Sequence, residues 1–479
     1  MIDQQQRRNP LRWALLVLLV GIVVSLIEPI PQLKFQAQRL VELLVAVGLL
    51  AWSYRPQPAS ALAEQPLAGW YGLGLLGLTA SALLSGAAGP IPWISLGFVG
   101  LVLLQFSLLP LLRQAWQHHT GDTMRLLALF SLALLGIDVG LWLLDHLHGI
   151  APYVWIQRLG PDGQIASAPY LFLNSRWANQ LTVLLIWTFI PLLDQLQRGV
   201  IRQRRWFWWL VAIGVPWLGM AQVVLSQGDG AFVAISLGTA TLAVLGLQGG
   251  RAQRRLCWWS VALLFSGALL AASLSAGLDG SQFFGLLLDR NAAEFTPAAP
   301  TTDKRLVLWS AYARSVLAHP WLGRGIAAIP PGSPACTPHN LWLALLQGVG
   351  LIGSAAAVLL ATAFVPRRLQ HLRPMAPFAL PLLAALFIYQ LVDDLWLRPL
   401  SLAVLLLVLP GLLVDDAQQP HRLEPLCLRA WALPITTWRV LALVGLLLIT
   451  ISAVHPAGVG FAPSHLVHAS ARGGCLLLF

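Results

Sequence analysis

Residues 339–362 read His339-Asn340-Leu341-Trp342-Leu343-Ala344-Leu345-Leu346-Gln347-Gly348-Val349-Gly350-Leu351-Ile352-Gly353-Ser354-Ala355-Ala356-Ala357-Val358-Leu359-Leu360-Ala361-Thr362, a polar pair followed by a long run with no charge. A helix needs about 20 apolar residues to cross about 30 Å of hydrocarbon, so the run reads as a membrane span over 342–364. Runs of this kind recur throughout. The chain has 479 residues, is 57% hydrophobic and only 10% charged, against roughly 25% charged in a soluble domain. Mean hydropathy is +0.72. The expected fold is all-α: a polytopic membrane protein with no large soluble domain. Further spans are expected near 13–30, 36–54, 67–86, 92–112, 126–144, 178–196, 206–226, 231–248, 257–275, 375–392, 399–414 and 438–454, about twelve or thirteen in all. The segment after Arg7 and Arg8 has no clear cleavage site and reads as a retained first helix.

Charge sets the orientation. The net charge of +11 would suggest nucleic acid in a soluble protein; in a membrane protein it first reports topology, and no nucleic acid is expected. Clusters at Arg198, Arg202, Arg204 and Arg205, at Arg251, Arg254 and Arg255, and at Arg367, Arg368 and Arg373 alternate correctly if the N-terminus is cytoplasmic. Two long segments, about 145–177 and 276–341, then fall on the far side. Three parts follow: an N-terminal bundle over 1–275, a long outer loop over 276–341 and a C-terminal bundle over 342–479. The loop holds Lys304, Arg305, Arg314 and Arg324, basic residues on the face where the rule does not expect them. Apolar residues at 306, 309, 313, 316 and 317 predict an interfacial amphipathic helix from Lys304 to Ala318, ended by His319-Pro320. A new helix is expected after Pro338, with His339 in its first turn.

Several residues suit chemistry at that face. Arg305 carries a planar fork that binds phosphate oxygens bidentately; the other reading is a helix-surface arginine snorkelling to headgroups. His339 suits a general base for a hydroxyl, or a helix cap. Asn174-Ser175-Arg176 leads into the span at 178–196, where Arg176 either helps clamp an anion or anchors the helix end beside Trp177. Asp393-Asp394 with Arg398 reads as an internal ion pair or as a contact to substrate through Asp394. Ser226-Gln227-Gly228-Asp229-Gly230 reads as a tight outer turn whose Asp229 suits contact with substrate or with an arginine. Glu28 and Asp138 are carboxylates within apolar stretches. The Trp residues at 206, 208, 209, 258 and 259 read as an interfacial belt. Cys257, Cys336, Cys427 and Cys475 have no metal-type spacing, and no metal or cofactor is expected.

The order Arg305, Trp309, His319-Pro320-Trp321-Leu322-Gly323-Arg324-Gly325, His339-Asn340, Gly348-Val349-Gly350-Leu351-Ile352-Gly353 resembles the signature of the O-antigen ligase and polymerase superfamily. Leu173-Asn174-Ser175-Arg176-Trp177-Ala178 resembles that family's Asn-rich entry to an earlier helix. The resemblance implies a GT-C-type glycosyltransferase of the bacterial inner membrane with its active site facing the periplasm. Its donor would be a glycan on undecaprenyl diphosphate. Its acceptor would be lipid A-core for a ligase, a second lipid-linked repeat for a polymerase, or Ser and Thr for a protein O-oligosaccharyltransferase. Carried onto this chain, it implies diphosphate binding by Arg305 and Arg176, acceptor activation by His339, and an inverting, metal-independent transfer, with Asn340 and Asn174 in the surrounding site. One position departs: Gly228-Asp229-Gly230-Ala231 stands where the family often has Ser-Arg-Gly-Ala, and Arg324 is the candidate replacement. A flippase for the same lipid-linked glycans would also need outer arginines, but would line a central cavity with them.

Overall fold

The structure is a computed structural model. It describes residues 10–25, 31–54, 69–89, 92–148, 155–159, 165–169, 175–226, 228–279, 300–326, 328–331, 333, 338–362, 376–392, 403–408 and 435–454. For 31–36, 69–70, 113–115, 117–120, 145–148, 155–159, 165–169, 175–176, 229, 275–279, 300–305, 376, 392 and 453–454 it describes the backbone alone. Asn174, Asp394, Asp393, Arg398 and Glu28 lie outside the described residues.

Helices dominate: α1 (Pro10–Val24), α2 (Pro31–Ser53), α3 (Gly69–Ala88), α4 (Pro92–His148), α5 (Ser175–Leu185), α6 (Phe189–Gln197), α7 (Arg205–Leu225), α8 (Asp229–Gln248), α9 (Arg251–Asp279), α10 (Pro300–Ala318), α11 (Leu341–Thr362), α12 (Ala376–Val392) and α13 (Ile435–Val454). Among the described residues, eight stretches are long and apolar enough to cross a membrane, and three shorter apolar helices accompany them. The protein is a multi-pass, all-α membrane protein. Its exposed apolar side chains, such as Trp13, Leu44, Phe265, Leu269 and Phe387, belong to helices whose outer faces meet lipid rather than water. Trp206, Trp258 and Trp259 are exposed at the starts of α7 and α9, in keeping with an interfacial belt.

Two features differ from the sequence expectation. The polar stretch between the spans at 92–112 and 126–144 is not a loop: α4 runs unbroken for 57 residues, about 85 Å. Apart from Gly121, the segment 113–125 has no Gly or Pro, and its Arg, Gln, Ala and Met continue a helix readily. The stretch between α4 and α5 also contains an antiparallel hairpin, β1 (Trp155–Leu159) with β2 (Ile165–Pro169), paired from Trp155 opposite Pro169 to Leu159 opposite Ile165.

The chain forms two compact units. The first is built from Met1–Glu42, His119–Ala293 and Leu372–Tyr389; the second from Leu43–His118, Glu294–His371 and Gln390–Phe479. In the first, α7 packs on α9, α8 on α9, and α5 on α7 and α8. Val139, Ala221, Val224 and Ala271 form a buried cluster there, flanked by Leu143, Leu218 and Leu225. Pro191 lacks the N–H that would bond the Trp187 carbonyl, and the chain tightens into a 3-10 turn over Ile186–Thr188. The Thr188 hydroxyl lies 2.7 Å from the Leu185 carbonyl and 2.9 Å from Ser131 Oγ. Asp122 lies 3.7 Å from Arg12 and 3.5 Å from Arg125, whose Nε donates to Gln195 Oε1 at 3.0 Å, tying α1, α4 and α6. Arg39 and Glu42 form a buried ion pair on α2, and Asp138 is buried within α4.

In the second unit, α3 packs along α11. A Cβ on Gly74 would meet the Leu360 backbone nitrogen at 2.7 Å, so only a residue without a side chain permits this backbone approach. Pro110 sits inside α4 and withholds the N–H that would bond the Phe106 carbonyl. The buried Tyr71 hydroxyl donates to that carbonyl at 2.6 Å. The group freed by proline is thus satisfied by a neighbouring helix, as a bilayer interior requires.

Candidate functional site

The island of charge seen in the sequence becomes one continuous construction in the second unit: α10, a turn, and a broken α11. Helix α10 forms, but the face it buries is Leu308, Ala311, Tyr312 and Ser315; of the positions read as its apolar face, Leu306, Ala313 and Leu317 are exposed and Trp309 and Val316 are partly buried. His319-Pro320 ends it: the His319 N–H bonds back to Ser315 and Val316 carbonyls, and Pro320 has no N–H to continue the ladder.

The turn then inserts into α11. Gly350 has φ +64 and ψ −168, which breaks the helix. A break strands carbonyls on one side and N–H groups on the other. The turn satisfies both. Arg324 and Gly325 donate their N–H groups to the Gln347 and Gly348 carbonyls, at 2.7 and 3.1 Å. The Pro320 and Trp321 carbonyls accept from Leu351 and Ile352, at 2.8 and 3.2 Å. Gln347 Nε2 donates to the Ala328 carbonyl at 2.8 Å, and Ser81 Oγ of α3 donates to Val349 at 2.8 Å. A Cβ on Gly350 would stand 2.3 Å from the Trp321 carbonyl oxygen, and one on Gly323 2.6 Å from the Gly350 nitrogen. The two Gly-rich motifs therefore exist for each other.

The N-terminal end of α11 is preceded by His339 and Asn340. Asn340 is the helix cap: its Oδ1 accepts from the Leu343 N–H at 3.0 Å, and its Nδ2 donates to the Leu391 carbonyl at 3.0 Å. Both ends of its amide are thus engaged by backbone. His339 lies just before the cap, not in the first turn as expected from sequence. It is half-buried and has φ +49. Among the described residues only Arg204 shares a positive φ without being glycine. Holding a non-glycine residue there costs about 1–3 kcal/mol, and such residues cluster at functional sites.

Trp309 of α10 fixes this corner, its indole N–H donating to the Pro338 carbonyl at 2.9 Å. Arg305 is four residues earlier, on the same helix face and one turn away. Its side chain lies outside the described ones. Arg324 is half-buried, and its guanidinium has no hydrogen bond or ion pair among the described residues.

Two other candidates, Arg176 and Asp229, belong to the first unit. Arg176 lies in the first turn of α5, and Asp229 is the first residue of α8; neither side chain is among those described. Ser226 Oγ donates to Asn179 Oδ1 at 2.9 Å, and a Cβ on Gly228 would stand 2.4 Å from Asn179 Nδ2. The start of α5 and the α7–α8 turn are thus in contact. A carboxylate at the first residue of α8 complements the helix dipole, which explains how Asp229 is tolerated where the resemblance expects arginine. Asn179 and Gln222, both buried, were not singled out from sequence, although amides inside apolar spans are a signal in their own right. Among the described residues no group of three or more His, Cys, Asp or Glu is placed to hold a metal.

No protein-family model matches the chain, and no curated protein matches its sequence.

Proposed function

We propose that the protein is a membrane glycosyltransferase of the O-antigen ligase type, moving a glycan from undecaprenyl diphosphate to an acceptor hydroxyl at the periplasmic face of the bacterial inner membrane. The observation that carries this reading is the corner made by α10 and α11. The Trp309–Pro338 hydrogen bond ties the residue before the strained, half-buried His339 to α10, one helical turn beyond the Arg305 position. A general base and an anion receptor on one short, braced segment are what transfer from a diphosphate requires.

In this reading His339 takes the proton of the acceptor hydroxyl. The hydroxyl oxygen attacks the anomeric carbon from the face opposite the diphosphate, the carbon–oxygen bond to the diphosphate breaks, and configuration inverts. Charge develops on the departing undecaprenyl diphosphate, where Arg305 and Arg324 offer charge-assisted contacts in a partly desolvated site. Asn340 acts through position, since its amide is used by the backbone on both sides.

A break in a membrane helix also occurs in transporters, where freed backbone groups bind ions or substrate. Here the carbonyls of Gln347 and Gly348 and the N–H groups of Leu351 and Ile352 are taken by the chain's own turn. That favours a rigid catalytic brace over a flippase.

The acceptor is identified by the glycan profile of a deletion strain. Loss of long-chain glycan from lipid A-core, with the undecaprenyl-linked polymer accumulating, is the expected ligase outcome. A core bearing a single repeat would indicate a polymerase, and unchanged lipopolysaccharide with unglycosylated proteins a protein O-oligosaccharyltransferase. An unchanged profile of all three would overturn the proposal.

A further inference from the structure

We propose that the outward face of α10, with the turn that follows it, binds an anionic phospholipid of the surrounding bilayer, and that Arg314 takes the lipid phosphate.

The face is apolar and open. Leu306 is 58% exposed, Val307 50%, Leu317 79% and Trp321 66%. Through the bonds from Leu351 and Ile352 to the turn, this stripe joins the exposed Leu351 and Ile352 of α11. In a multi-pass membrane protein an exposed apolar surface of this kind suits contact with lipid.

One charge stands in the stripe. Arg314 is exposed, and its Nε donates to the Ser310 carbonyl at 3.3 Å. Its terminal nitrogens have no partner among the described residues. Among the described residues no carboxylate pairs with it. An arginine facing lipid without a partner is costly, and a phosphodiester offers the two oxygens its fork requires. Zwitterionic headgroups offer phosphate with a competing ammonium, so the site selects anionic lipid.

Arg314 is not part of the corner proposed for transfer. It is five residues from Trp309, roughly 140° around the helix at about 100° per residue. The lipid would therefore sit on the opposite side of α10 from His339 and Arg305, and its binding is independent of glycan transfer.

The test uses full-length protein, delipidated in detergent and then offered phosphatidylglycerol or phosphatidylcholine. Retained lipid is counted by native mass spectrometry, and the unfolding midpoint is followed. Wild type is expected to retain phosphatidylglycerol in preference and to gain stability from it. Soluble glycerophosphoglycerol, which has the phosphate without the chains, should leave the midpoint unmoved. Arg314→Gln should lower phosphatidylglycerol retention about fivefold, the loss of one surface cation, while Arg314→Lys recovers part of it. Equal retention of both lipids by wild type overturns the proposal without any variant. So does undiminished phosphatidylglycerol retention in Arg314→Gln, or a midpoint raised equally by the soluble phosphodiester.

Discussion

Tyr71 and Pro110 show how single residues answer the bilayer's demand that every backbone group be paired. The Tyr71 hydroxyl supplies to the Phe106 carbonyl what Pro110 cannot. Tyr71→Phe should therefore lower stability by about 1–3 kcal/mol, the cost of an orphaned buried acceptor. Pro110→Ala restores the helical N–H and should make the same Tyr71 change cost less, a coupling read from thermal unfolding of the four proteins in detergent. Glycines give a second contrast. Gly350→Ala forces a Cβ to 2.3 Å from a backbone oxygen at φ +64, and folded yield should collapse. Gly48 lies within α2 with nothing within 4 Å of an added Cβ, and Gly48→Ala should stabilise by about 0.5–1 kcal/mol. The sequence made Gly350 visible as part of a Gly-rich run but not as a break, because positive φ is decided by the turn that docks on it.

At the scale of elements, α10, its terminator and the start of α11 were legible. Their periodicity, the His319-Pro320 stop and the polar pair before an apolar run are local signals. The docking of the turn into α11 was not legible, since it is written in backbone hydrogen bonds between residues more than twenty apart. The continuity of α4 was hidden for another reason: polar residues suggest a loop, while helix propensity ignores polarity. Docking makes a direct prediction. Amide exchange at Arg324, Gly325, Leu351 and Ile352 should be as slow as in helices, although residues 319–325 have no regular structure. Trp309→Phe removes the bond to Pro338 while keeping a ring in place. It should leave the unfolding free energy within about 1 kcal/mol of wild type, the value of one such bond, yet lower transfer by loosening His339. Rescue of activity without Trp309's N–H would argue that the bond is not what positions the histidine. Asn340→Asp should keep the cap, and Asn340→Ala should cost about 1 kcal/mol.

For the whole molecule, apolar composition made the membrane class plain, and eight long apolar stretches among the described residues bear it out. Basic-loop asymmetry predicts the orientation. Cysteines placed at Arg202 or Arg254 should be shielded from an impermeant thiol reagent in intact cells, and one at His319 should react. The functional reading rests on the α10–α11 corner, and transfer itself is its most direct test. Full-length protein in nanodiscs would be given an undecaprenyl-diphosphate-linked glycan together with lipid A-core, a second lipid-linked glycan or a Ser/Thr peptide. Wild type is expected to form product with one of the three, and His339→Ala and Arg305→Ala to be slower by about 100-fold or more while inserting normally. Undiminished product from both variants, or none from wild type with any acceptor, would contradict it.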